Sequence, residues 1–218
     1  MAKFVNGIDI EGLGNTLAAI RDKPELASFK FRASNKWIKG TNNRATVKGY
    51  YGAGEEHGKR AVSMTFDEDE PPVLLGNDKG PNPVEWVLVG LSGCLTTSLV
   101  AYAAAKGIEL RSVESELEGD LDVRGFLNLD PGVRNGYQNI RVHFRIDADA
   151  SDEELRKLVE TAQKRSPVFD IVTHEVPVQV DFERKATQSK QQTATERRTG
   201  VATRARMARG RRGQRPNA

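Results

Sequence analysis

The 218-residue sequence predicts a mixed fold in which strands of alternating polarity accompany one long, uncharged helix. From Trp86 to Ala105 no residue carries a charge, and this run lies between Pro81-Asn82-Pro83 and Gly107. Pro83 suits a first helical turn, where no amide donor is needed. Gly107 suits the left-handed position that ends a helix. On both sides of the run, apolar and polar residues alternate with period two, as half-buried strands do. Beyond them, Ser151-Asp152-Glu153-Glu154 opens a second helix with a capping box.

Near the N-terminus, Asn15 is expected to cap a short helix from Thr16 to Asp22, stopped by Pro24. Phe29, Phe31 and Ala33 alternate with Lys30 and Arg32 and read as a strand. Lys36-Trp37-Ile38 precedes the turn composition Gly40-Thr41-Asn42-Asn43. Ala45 with Val47, and Val62 with Met64 and Phe66, continue the alternation on either side of a predicted loop from Gly52 to Gly58. These segments make a meander of three or four strands. The acidic loop from Asp67 to Pro72 and the Gly/Asn/Pro run 76–83 lead into the long helix.

That helix holds the only cysteine, Cys94. About 20 apolar residues would suffice to span a membrane. Gly90, Ser92, Gly93, Thr96, Thr97 and Ser98 dilute the run, so a core helix and no membrane contact are expected. Small residues around Cys94 admit either a helix packed across it or a substrate. From sequence the thiol reads either as inert core or as a reactive group.

After Gly107, Val113, Ser115, Leu117, Gly119, Leu121 and Val123 share one strand face, and Glu114, Glu116, Glu118, Asp120 and Asp122 the other. The next strand turns Ile140, Val142, Phe144, Ile146 and Ala148 inward and Arg141, His143 and Arg145 outward. Paired as a hairpin, the acidic face meets the basic one, and His143 reads as a solvated strand residue. In the capped helix, Leu155, Leu158, Val159 and Ala162 fall on one face, and Pro167 ends it. Val176, Val178, Val180 and Phe182 alternate with polar positions and predict a last strand, at an edge because of Pro177.

Charge is uneven. Residues 186–218 hold nine basic residues against Glu196, a net of +8, which leaves −5 for residues 1–185. That basic segment lacks aromatics and is expected to be a disordered tail, able to contact nucleic acid through its arginines without sequence preference. One cysteine makes no internal disulfide, and no Cys/His cluster has metal-ligand spacing, so no metal or organic cofactor is expected. No signal-peptide pattern opens the chain, so a reducing cytoplasm is expected.

Two motifs are more specific. The first is Gly80-Pro81-Asn82-Pro83-Val84-Glu85 with Cys94 eleven residues past Pro83; the second is Arg165-Ser166-Pro167-Val168 followed by the Val176–Phe182 pattern. With the order of elements, they resemble the osmotically induced protein C and organic hydroperoxide resistance (OsmC/Ohr) family from about Arg44 to Glu183. The resemblance implies an α+β fold, antiparallel sheets wrapped around two central helices in an intertwined homodimer. It divides the chain into an N-terminal extension (1–35), an OsmC-like domain (36–185) and the basic tail (186–218).

The resemblance also implies an activity, the reduction of organic hydroperoxides in oxidative-stress defence. Cys94 matches the attacking cysteine of that family, whose thiolate becomes a sulfenic acid. Ser166 stands where a resolving cysteine would be, so only a one-cysteine cycle with an external thiol reductant is open. The family glutamate position holds Val84, with Glu85 one residue later as the candidate catalytic organiser. A regular helix puts Glu85 about 180° from Cys94: it is a first-turn acid that favours the helix dipole, or it reaches a thiol only through an irregular first turn or from the partner subunit. Arg44 and Arg60 are the candidates for the cation that activates a thiolate. The alternative is a non-catalytic OsmC-like binding or structural dimer with a small-molecule pocket near Cys94.

Overall fold

The computed structural model describes residues 3–60, 62 and 64–185. The chain divides into two units, Met1–Val176 and Pro177–Ala218. The predicted disordered tail lies outside the described residues.

The first unit opens with a small hairpin, β1 (Phe4–Val5) and β2 (Ile8–Asp9), turned through Asn6 and Gly7, both at positive φ. Helix α1 (Ile10–Asp22) follows directly. Its cap is Asp9 rather than Asn15: the Asp9 carboxylate accepts from the N–H groups of Glu11 and Gly12 at 3.0 and 3.1 Å. Gly12 and Gly14 depress helix propensity and hide this start, whereas the end before Pro24 is as expected. Asn6 Nδ2 donates to the Ile108 carbonyl and Asn6 Oδ1 accepts from Leu110 N–H, tying the hairpin to the chain that leaves the long helix.

Strands β3 (Ala33–Lys39) and β4 (Asn42–Val47) form an antiparallel pair. Phe29 and Phe31 lie ahead of β3 and are exposed, which corrects the expected half-buried strand there. The predicted loop at 52–58 is instead a hairpin of β5 (Tyr50–Gly52) and β6 (Glu55–His57). Its turn residues, Ala53 and Gly54, both take positive φ, the type I′ geometry that matches strand twist. Strand β7 (Met64–Glu68) returns to β4, giving the order β3-β4-β7. Asp67 and Glu68 therefore belong to a strand, not to a loop.

Helix α2 (Pro83–Lys106) is regular throughout and ends at Gly107 in the left-handed conformation, φ 73°. It is long and apolar enough to cross a membrane by length and composition. Here Leu91, Leu95, Leu99, Ala103 and Ala104 are buried, and α2 packs against the next strand and the later helices. Strand β8 (Leu110–Asp120) ends sooner than expected, because the Asp122 side chain caps a single helical turn, α3 (Val123–Phe126). Strand β9 (Asn139–Ala148) pairs antiparallel with β8. Glu114 faces Arg145, Glu116 faces His143 and Glu118 faces Arg141, the predicted match of acidic and basic faces. Arg145 binds Glu116 at 2.8 Å, and Arg141 joins Glu118 and Asp120. His143 is exposed.

Helix α4 (Asp152–Arg165) has the predicted capping box: Ser151 N–H donates to Glu154 and Glu154 N–H to Ser151 Oγ. Leu158 and Ala162 of α4 meet Leu99 and Ala103 of α2 in the core, with Val113, Phe144 and Ile146 of the hairpin around them. Alanine opposite leucine lets the two helices approach closely. Full burial of each such leucine contributes about 1.5–3 kcal/mol.

Pro167 ends α4 but also starts a helix that the sequence reading missed, α5 (Pro167–Thr173), with Ser166 as its cap. The expected last strand is not formed. Residues 174–185 have no strand assignment, and Val176, Val178, Val180 and Phe182 are 50–92% exposed. An alternating segment becomes a strand only where its backbone pairs with an edge, and no pairing of residues 174–185 occurs among the described residues.

Candidate active site around Cys94

The N-terminus of α2 is held from several directions. Asn82 Oδ1 accepts from Val84 N–H at 2.8 Å, while Glu85 reaches back to Asn82 N–H, also at 2.8 Å, completing a capping box. Asn82 Nδ2 donates to Glu70. Trp86 meets Phe66 edge to face at 5.1 Å, and the Tyr137 hydroxyl donates to the Val84 carbonyl at 2.9 Å. Burial, and after it the Glu85 charge, pushes the Tyr137 phenol above its ordinary range.

The loop before α2 turns on Asp69, 1% exposed. Its carboxylate accepts from Thr41 Oγ1 at 2.6 Å and from the N–H groups of Glu70, Asn77 and Lys79 at 2.9–3.3 Å. The Thr41 hydroxyl is the main reason its pKa lies below the carboxylate norm; burial opposes and the backbone donors add to the lowering. A Cβ at Gly76 would run into the Glu70 carbonyl, so this loop has one way to close.

Cys94 lies in the middle of α2 and is half-buried. Leu95, its neighbour about 100° around the helix, is 1% exposed and belongs to the packed side. The other flank is open. A Cβ built at Gly90 or Gly93 meets nothing within 4 Å, and Val87 and Val89 are 39% and 51% exposed. Gly90 and Gly93 therefore leave an uncharged, open strip beside the thiol.

Glu85 does not join Cys94 within this chain. The helix is regular, so nine residues separate the two by about 13.5 Å along the axis and half a turn around it. Its carboxylate is engaged at the helix start. The two arginine candidates are engaged elsewhere as well. Arg44 forms a two-point pair with Asp67 at 2.7 and 3.1 Å, which holds that carboxyl below its usual range. Arg60 Nε donates to the Lys48 carbonyl at 3.0 Å, with its guanidinium 5.1 Å over the Tyr50 ring.

Ser166 is brought close at the level of elements: it opens α5, which packs on α2. It is 2% exposed, and its Oγ accepts from Phe169 N–H at 3.2 Å. Serine here meets a local need as an N-cap. Sequence reading did not find Asp69 or Tyr137. The Gly/Asn/Pro run after Asp69 was a signal that one acid of the 67–70 cluster would serve a turn. Tyr137 had no such signal.

Held helix, half-buried thiol and paired hairpin define an α+β protein whose one cysteine sits on its central helix. Residues 76–181 match the model of the OsmC family, described as OsmC-like protein. The chain is 29% identical over 113 residues to a hydroperoxide reductase of Mycoplasma genitalium, covering 50% of this chain and 74% of that protein. Its structure is similar to an OsmC-like protein of Mycoplasma pneumoniae, with TM-score 0.51 and 18% identity over 66% of this chain and 87% of the other. A similar comparison with the organic hydroperoxide resistance protein OsmC of Legionella pneumophila gives TM-score 0.48 and 18% identity, covering 66% and 88%. Residues 76–181 thus carry an OsmC-like domain, as the motifs suggested, and the chain has the OsmC-like fold.

Proposed function

We propose that this protein is a one-cysteine thiol peroxidase that reduces organic hydroperoxides in oxidative-stress defence. The supporting observation is the position of Cys94, half-buried at the border between the packed side of α2 and an open strip without charge. An alkyl or aryl hydroperoxide can lay its apolar body along that strip. The thiolate attacks one peroxide oxygen. An S–O bond forms, the O–O bond breaks, and the other oxygen leaves with a proton as the alcohol. Cys94 becomes a sulfenic acid. An external thiol then attacks its sulfur, releasing water and leaving a mixed disulfide. A second thiol restores Cys94 and carries away the disulfide. No metal or organic cofactor takes part in this scheme.

The working unit in this reading is a homodimer. The exposed alternation of Val176, Val178, Val180 and Phe182 supports it, as does the uncovered strip of α2. Glu85, and an arginine as activating cation, then act across the subunit contact rather than along one chain. A cytoplasmic location supplies the thiol reductant. The test is consumption of cumene hydroperoxide with excess dithiothreitol. Wild type should turn over and Cys94→Ser should not; equal rates in the two proteins would contradict the reading.

One observation favours a second reading, a non-catalytic dimer that binds a small apolar molecule near Cys94. Arg44 and Arg60 have local partners and leave the thiol without an assigned cation, and the Glu85 carboxylate is held at the helix start. A Cys94→Ser protein that restores full peroxide tolerance to cells lacking the wild type would support it.

A further inference from the structure

The most conspicuous uncommitted surface lies around the β5–β6 hairpin. Lys30 and Tyr51 exchange both backbone hydrogen bonds, at 2.9 and 3.0 Å, so residues 29–31 add a third extended segment to that hairpin. The alternation of an extended chain then collects Phe29, Phe31, Tyr50 and His57 on one face. Their rings form a continuous series: Phe29 to Phe31 at 6.0 Å, Phe31 to Tyr50 at 5.9 Å, Tyr50 to His57 at 4.5 Å. The Phe29 ring lies over Gly52, where any Cβ would collide with it. Phe31 is 72% exposed and Phe29 48%. Contiguous apolar surface left in water marks an interaction site.

Its charge indicates the partner. On and beside the hairpin stand Lys30, Arg32, Lys48, Lys59 and Arg60 against Glu55 and Glu56, a net of +3, although residues 1–185 together carry −5. Arg32 is neutralised by Glu56 through two bonds of 2.8 Å. Among the described residues, Lys48, Lys59 and Arg60 have no ion pair, and Arg60 sits over the Tyr50 ring. A cationic patch repels its own copy. It attracts a polyanion, and rings open to one side accept unstacked bases, whereas a duplex keeps its bases covered.

We propose that this face binds single-stranded nucleic acid, with bases stacked on Phe31 and Phe29 and phosphates drawn by Arg60, Lys48 and Lys59. The inference is independent of the peroxidase reading. It also differs from a contact through the basic C-terminal segment, which has no aromatic residues.

The test is fluorescence anisotropy of labelled dT12 and of a 12-base-pair duplex with the full chain at 50 and 200 mM NaCl. The single strand should bind more tightly than the duplex. Phe31→Ala should weaken single-strand binding by about fivefold or more, the scale of one lost base stack. Phe31→Leu keeps apolar bulk and should weaken binding likewise, which separates stacking from misfolding. Arg60→Gln should reduce the slope of log affinity against log salt by about 0.7. Undiminished binding in both Phe31 variants would place the contact in the C-terminal segment and overturn the proposal. So would no binding at 50 mM salt, or a sedimentation change from dimer to monomer in those variants with affinity unaltered, which would make the rings a subunit contact.

Discussion

Replacing Ser166 by alanine separates two roles for a residue that the family resemblance sets at a resolving position. Ser166 Oγ accepts from Phe169 N–H at 3.2 Å and is 2% exposed, so the freed N–H finds no water in place of it. Losing an N-cap and leaving a sequestered donor unpaired costs about 1–2 kcal/mol. For a chain of this size, each kcal/mol shifts Tm by about 2–4 °C, so Tm should fall by about 2–8 °C. Ser166→Cys puts a larger atom that is a weak acceptor in this buried place, so its Tm should fall by at least a similar amount. Differential scanning calorimetry reads both variants. Hydroperoxide consumption with a monothiol reductant should be unchanged in Ser166→Ala, because a one-cysteine cycle makes no bond to residue 166. An unaltered Tm would refute the cap argument, and loss of turnover in a folded Ser166→Ala would refute the proposed cycle.

Leu158→Ala should be much more costly. Leu158 is fully buried against Leu99, Ala103 and Ala162, and the alanines cannot fill the space, so about 2–5 kcal/mol should be lost in denaturant unfolding. Acid should weaken the loop before α2. The pKa of Asp69 is depressed in the folded state, so its stabilisation is full above the ordinary aspartate pKa of about 3.9 and is lost as pH falls through the lower folded value. Tm measured from pH 6 to pH 2.5 should decline below about pH 4, and the decline should be shallower in Asp69→Asn. Val180 is 89% exposed in one chain; Val180→Asp should shift sedimentation from dimer toward monomer, and a wild type that sediments as a monomer would refute the proposed assembly.

The parts legible in the sequence are those with local physical grammar. The β8–β9 hairpin was readable because its charges alternate on matched faces, and Glu116 and Arg145 meet as that pattern requires. Helices α2 and α4 were readable from Pro83, Gly107 and the Ser151–Glu154 box. The misses have equally specific causes. Ala53-Gly54 is not one of the dipeptides that announce a two-residue hairpin, so β5 and β6 looked like a loop. Pro167 reads as a stop, although Ser-Pro is also a cap followed by a first-turn proline. The Val176–Phe182 pattern describes a segment ready to pair, and alternation cannot say which edge receives it. At the site, the helix period alone separates Glu85 from Cys94. The engagement of Arg44 by Asp67 depends on β4 lying beside β7, which local pattern does not encode.

The central claim is that Cys94 reacts with organic hydroperoxides. Its most direct test is the intact mass of the protein after brief exposure to one equivalent of cumene hydroperoxide with dimedone present. A rapid, single dimedone adduct on wild type, absent from Cys94→Ser, is the predicted result and establishes the sulfenic acid. An unmodified mass after prolonged exposure would contradict the account and leave Cys94 as a residue of the helix interior.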